Sequence, residues 1–158
     1  MPTRRCPAVR RVDGVEVRFK KTNGGRTCSW NALRPPRCRV PGTTMAAGGD
    51  VPHDLSTFVI EAALEIECGF WSCVAEGATF RSLGRKRTEP GRAIIRRHRD
   101  ELDEAERRVN EIYFAWRKGA ATPASEALDR ALTEWRRLPD GGELVLDWVG
   151  PKQRRRRH

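Results

Sequence analysis

No stretch of this chain approaches the ~20 consecutive apolar residues that cross a bilayer, so no transmembrane helix is expected. No C-x-x-C pair occurs either. The cysteines Cys6, Cys28, Cys38, Cys68 and Cys73 form an odd set, and on one helix Cys68 and Cys73 would sit about 140° apart around the axis. That spacing points away from zinc and paired disulfides, toward reduced thiols. The chain also lacks the glycine-rich phosphate loop ending in Gly-Lys-Ser/Thr, the dinucleotide fingerprint G-x-G-x-x-G, a Ser/His/Asp order and any internal repeat. The basic start, Met1 to Arg11, is not followed by the apolar run of a secretory leader. The expectation is therefore a cytoplasmic protein, more consistent with binding than with catalysis, without metal or cofactor.

What the chain does have is unevenly placed positive charge. Residues 1–44 carry 11 basic and 2 acidic side chains, residues 45–150 carry 15 and 19, and residues 151–158 carry 5 and none. The +10 total thus resides in the two ends, around a mildly acidic body. Arginine outnumbers lysine 26 to 5. Three regions follow: a basic arm rich in Pro, Gly and Arg over 1–51, a helical domain over 52–149 and a basic tail over 150–158. Met45, followed by Ala46-Ala47-Gly48-Gly49-Asp50, also reads as an initiator, which would put the preceding residues upstream of the true start. Within the arm, Val15, Val17 and Phe19 alternate with charged residues, and Asn23-Gly24-Gly25 offers a turn, a weak hairpin signal over 15–30.

Periodicity predicts three helices. The first runs from Asp54 or Ser56 to about Glu76, with Leu55, Val59, Ala62, Ile66, Phe70, Cys73 and Val74 on its apolar face and Glu61, Glu65, Ser72 and Glu76 opposite. Glu67 falls among apolar neighbours and must either reach solvent at the edge or meet a basic partner, His98 being one choice. The second opens at Thr88 or Glu89 before Pro90 and runs to Lys118, with Trp116 on its stripe, Phe114 off it and opposite charges at four-residue spacing outside. The third follows Thr122 and Pro123, its stripe being Ala124, Leu128, Ala131, Leu132 and Trp135. Leu144, Leu146 and Trp148 then alternate as a short strand that must pair with another chain, pair with the hairpin at 15–30, or lie extended against the helices. The expected fold is mainly α: a small three-helix bundle followed by one short C-terminal strand, with basic, mobile ends.

From Arg81 to Arg99 there are eight basic residues and one acid, Glu89. This block crowds cations at a helix start, against the dipole, as an anion-binding segment would. The leading functional expectation is a non-enzymatic protein docking on nucleic acid or another polyanion through Arg81, Arg85, Lys86, Arg87, Arg96 and Arg97, joined by Lys152, Arg154, Arg155, Arg156 and Arg157 of the tail. Alternatively, these bases neutralise the acidic face of the first helix. In that case the chain is a helical interaction module, a homodimer in which the second helix and the strand complete their burial. Glu61 and Glu65, one turn apart, read as a solvated face. Arg92 and His98, with five residues between them, resemble the Arg and His pair of the HEPN ribonucleases, a helical-bundle family. That resemblance implies metal-independent RNA cleavage, although Ala93 follows the arginine where that family often has a polar residue.

Overall fold

The computed structural model describes residues 14–35, 38–42, 45–47, 51–83 and 86–150. Its centre is a β-sheet, and the sheet is built from the segment expected to be an arm. Strand β1 (Val15–Thr22) places Val15, Val17 and Phe19 inward, and β2 (Thr27–Arg34) does the same with Cys28, Trp30 and Ala32. Their turn, Asn23-Gly24-Gly25, holds positive φ at all three residues, so the two glycines adopt it without Cβ strain. Register sets Phe19 opposite Trp30 and Val17 opposite Ala32. Strands β3 (Cys38–Pro41) and β4 (Met45–Ala46) both pair with β2.

The C-terminal strand β5 (Glu143–Trp148) is not an orphan. It lies antiparallel beside β1, with Leu146 opposite Val17 and Trp148 opposite Val15, giving the order β3-β2-β1-β5. Leu144 and Leu146 pack against the core of this chain, so of the partners open to that strand it takes the hairpin at 15–30 rather than a second copy. The three-helix bundle with one strand and a mobile N-terminal arm is overturned: among the described residues, five helices pack with an antiparallel sheet whose central strands include the expected arm's residues.

Helix α1 (His53–Ala63) is the central helix, because seven successive residues from Leu55 to Glu61 are buried. The sheet reaches it through Phe19 and Trp148 against Phe58, and the later helices α4 and α5 pack on it as well; a helix covered on most sides carries little sidedness. Phe58 meets Phe19, Trp71 and Trp148 edge-on at 5.8, 5.3 and 5.2 Å between ring centres, a geometry that aligns the positive ring edges with the negative faces. The expected single helix from 54 to 76 breaks after Ala63, with Glu65 in a left-handed conformation, and restarts as α2 (Phe70–Glu76). Glu67 is exposed, so no basic partner is needed.

The expected second helix also breaks. Helices α3 (Glu89–Arg97) and α4 (Arg99–Arg117) meet at His98, whose ψ of 18° interrupts the helix. The break lets each half pack on a different surface. Ile94 of α3 joins Cys73 and Ala78 in a small cluster, whereas Ala105 and Val109 of α4 enter the main core. Thr88 caps α3 as expected, accepting a hydrogen bond from Gly91 N at 3.1 Å. In α5 (Ser125–Arg137), Ala124, Leu128, Ala131 and Trp135 are buried as the stripe required, while Trp116 is only half-buried and donates to Asp129 Oδ1 at 2.9 Å. Cys28 and Cys73 are buried free thiols, each pushed up to about 12 by burial. Cys38, by contrast with the expected reduced set, is disulfide-bonded.

No helix among the described residues is long and apolar enough to cross a membrane.

Candidate functional site

The turn that reverses the chain between α1 and α2 makes the candidate site. Glu61, near the end of α1, is 1% exposed and aims its carboxylate at the start of α2. There Oε1 accepts from Phe70 N at 2.6 Å and Oε2 from Trp71 N at 3.0 Å. This carboxylate, expected on a solvated face, is therefore the buried cap of the next helix. Burial pushes its pKa up from 4.5 to about 7, against the opposing pull of the two backbone N–H groups. A Cβ at Gly69 would overlap the Glu61 carboxylate, so the approach requires glycine at that position.

Three further groups on α1 share the face of Glu61. His53, Asp54 and Thr57 precede it by one or two turns and look across a cleft of about 450 Å³ toward α4. Arg99, Asp103 and Glu106 form the facing polar row, with Leu102 between them and Val109 one turn beyond. The floor is aromatic: Phe70 and Phe80 stand with ring centres 4.7 Å apart, and Leu83 and Ile95 complete it.

Asp54 is held in place. Its Oδ2 accepts from Trp30 Nε1 at 2.7 Å, its Oδ1 lies 3.2 Å from His53 Nδ1, and its carbonyl accepts from Trp71 Nε1 at 3.3 Å. The hydrogen bond to Asp54 raises the pKa of His53, and Glu106 across the cleft adds to the rise. The result is a concave apolar floor rimmed by polar groups, two of them fixed from behind by the core. A volume of this size falls in the roughly 300–1,000 Å³ range of small-molecule sites. Among the described residues no group of three His, Cys, Asp or Glu side chains is placed to hold a metal ion.

The basic residues singled out from sequence lie elsewhere and are partly engaged. Arg81 and Lys86 are exposed in the loop between α2 and α3. Arg87 is half-buried and donates to the Thr79 carbonyl at 3.0 Å. Arg96 bonds Glu89 at 2.5 Å, and Arg97 bonds Glu76 at 3.0 Å. The acids that meet the block are thus Glu89 and Glu76, the second belonging to the polar face expected at the end of the first helix. Arg85, Lys152, Arg154, Arg155, Arg156 and Arg157 lie outside the described residues.

The Arg92 and His98 pair is likewise divided: Arg92 is exposed against Glu89 at 3.2 Å, whereas His98 Nε2 lies 3.5 Å from Glu76, not beside Glu67. Sequence reasoning missed His53, Thr57, Phe70, Phe80, Arg99, Asp103 and Glu106 as lining groups. A usable signal existed in part, since Asp54, Thr57 and Glu61 recur at helical spacing on one face. What lay opposite that face carried no local signal. No family model, curated protein or solved structure matches the chain.

Proposed function

We propose that this chain is a non-enzymatic binding protein and that its ligand is a small organic molecule seated between α1 and the α3–α4 pair. The observation that carries this reading is the recessed aromatic floor of Phe70 and Phe80 beneath a rim whose Asp54 and Glu61 are held by the core. An apolar body would gain by burial against the floor, and the rim would orient it. Indole is a suitable neutral probe. Titrated into the full chain, it is expected to shift the backbone amide signals of Phe70, Phe80, Leu83 and Ile95 together, with one dissociation constant. Leu102→Trp should remove those shifts by filling the cleft while leaving the rest of the spectrum in place. Shifts scattered over the surface, or equally strong in the variant, would rule the reading out.

A second reading, docking on nucleic acid, rests on Arg81 and Lys86, which are exposed and form no ion pair among the described residues. It is the narrower of the two, since Arg96 and Arg97 already serve carboxylates. Replacing Arg81 and Lys86 with Gln should flatten the logarithmic salt dependence of RNA or DNA affinity by about one for each phosphate that is no longer neutralised. An unchanged slope would end this second reading.

A further inference from the structure

We infer that the cleft selects an organic cation, an amine carried on an apolar body. This inference rests on the reading of the cleft as a ligand site and adds the charge of the ligand. Residues 45–150, which supply the whole lining, carry 15 basic and 19 acidic side chains, and the cleft within them is more acidic still. Among the described residues its lining contains four carboxyl groups, Asp54, Asp103, Glu106 and the buried Glu61 that caps α2, against one guanidinium, Arg99, and one imidazole, His53.

The charges of α4 and its neighbours are sorted accordingly. On α4, Glu104 and Glu111 do not line the cleft and are both neutralised by Arg107, at 2.6 and 2.8 Å. Asp103 and Glu106 line the cleft, and neither forms an ion pair among the described residues. Of the bases nearby, Arg96 is committed to Glu89 and Arg97 to Glu76, which leaves Arg99 as the guanidinium that lines the cleft. An excess of carboxylates over cations at the mouth of an aromatic pocket lowers the cost of bringing a positive head group there. The rings below offer a negative face to the same head group and apolar area to its body. With no three-carboxylate cluster among the described residues to chelate a metal, the complementary ligand is an organic ammonium with an apolar portion.

Three probes with one ring system separate the terms: tryptamine, neutral indole and indole-3-acetate, each titrated into the full chain at low salt by calorimetry or amide shifts. Tryptamine is expected to bind about three- to tenfold tighter than indole, and indole-3-acetate weakest, although long-range attraction to a +10 chain favours the acid. Asp103→Asn with Glu106→Gln, both exposed positions, should erase the preference for tryptamine while leaving indole unchanged. Indole bound as tightly as tryptamine overturns the charge selection alone and leaves the ligand site standing. A tryptamine preference that persists in the double variant also overturns it. Binding of neither tryptamine nor indole would remove the ligand site itself.

Discussion

Lys21 of β1 closes the end of α5 at Trp135: its ammonium donates to the Trp135 carbonyl at 2.5 Å and to the Leu138 carbonyl at 3.0 Å, and it sits 5.2 Å from the Trp135 ring centre. One cation thus satisfies carbonyls at a helix C-terminus, where the dipole is negative, and stacks over an aromatic face. Around it, Lys21 N donates to Gly142 O at 2.9 Å and Gly141 N donates to Lys21 O at 2.6 Å. Lys21→Met keeps the stem and removes the donors. It is expected to cost about 1–3 kcal/mol in urea unfolding, because two partly buried carbonyls lose their partner. A loss below ~0.5 kcal/mol would mean that water replaces the ammonium without penalty.

The same connection predicts the fate of a chain that starts at Met45. Helical periodicity alone suggests that such a chain still folds, since every helix lies downstream. The structure points the other way: removal of residues 1–44 takes β1, β2 and β3, and with them Val17, Phe19, Trp30 and Ala32 from the core. Strand β5 then has no partner, and a lone strand is not stable. Thermal melts followed by circular dichroism should show a cooperative transition for the full chain and none for the shortened one. Retention of a sharp transition would place the stability in the helices.

Glu61 should leave a signature in the pH dependence of stability. Its folded pKa is raised to about 7 from an ordinary 4.5, so between these values the folded state holds more of the proton than the unfolded one. The contribution is fully present below about pH 4.5 and is lost as pH rises through about 7, with a slope of at most about 1.4 kcal/mol per pH unit. Glu61→Gln removes the titration. The difference in unfolding free energy between the two proteins is therefore expected to shrink as pH rises across that window. A difference that is constant, or that grows, contradicts the burial of this carboxyl.

Gly69→Ala probes the same contact from the other side. Its Cβ would collide with the Glu61 carboxylate, and both α2 N–H bonds would have to shift. A loss of about 2–4 kcal/mol is expected from denaturant titration, well above the few tenths that follow from glycine entropy at an open site.

The aromatic residues of α4 and α5 should rank by burial. Trp135, 3% exposed, is expected to cost ~3–5 kcal/mol on change to Ala. Trp116→Ala should cost less, since that ring is half-buried and holds only Asp129 by its N–H. Phe114, 56% exposed, should cost under ~1 kcal/mol. Sedimentation velocity on Phe114→Ala beside the parent chain tests whether this exposed ring holds two copies together: a shift from dimer to monomer would identify it as an interface anchor.

By itself the sequence determined the faces of the elements. Val15, Val17 and Phe19 alternate inward, Ala124, Leu128, Ala131 and Trp135 share a stripe, and Thr88 caps its helix, because side-chain direction follows from backbone periodicity over a few residues. Averaged charge hid the sheet. Arg18, Lys20 and Arg39 occupy its exposed positions, so a basic composition concealed an apolar inner face. Tertiary structure decided the rest. That β5 pairs with β1 depends on residues 133 positions apart, Val15 and Trp148, which no local pattern links. That Glu61 is a buried cap depends on α2 turning back upon α1, and the cleft exists only where α1 faces α4. Periodicity specifies which side of an element avoids water; which other element covers it, and which charges it leaves facing an open space, is settled by packing the whole chain at once.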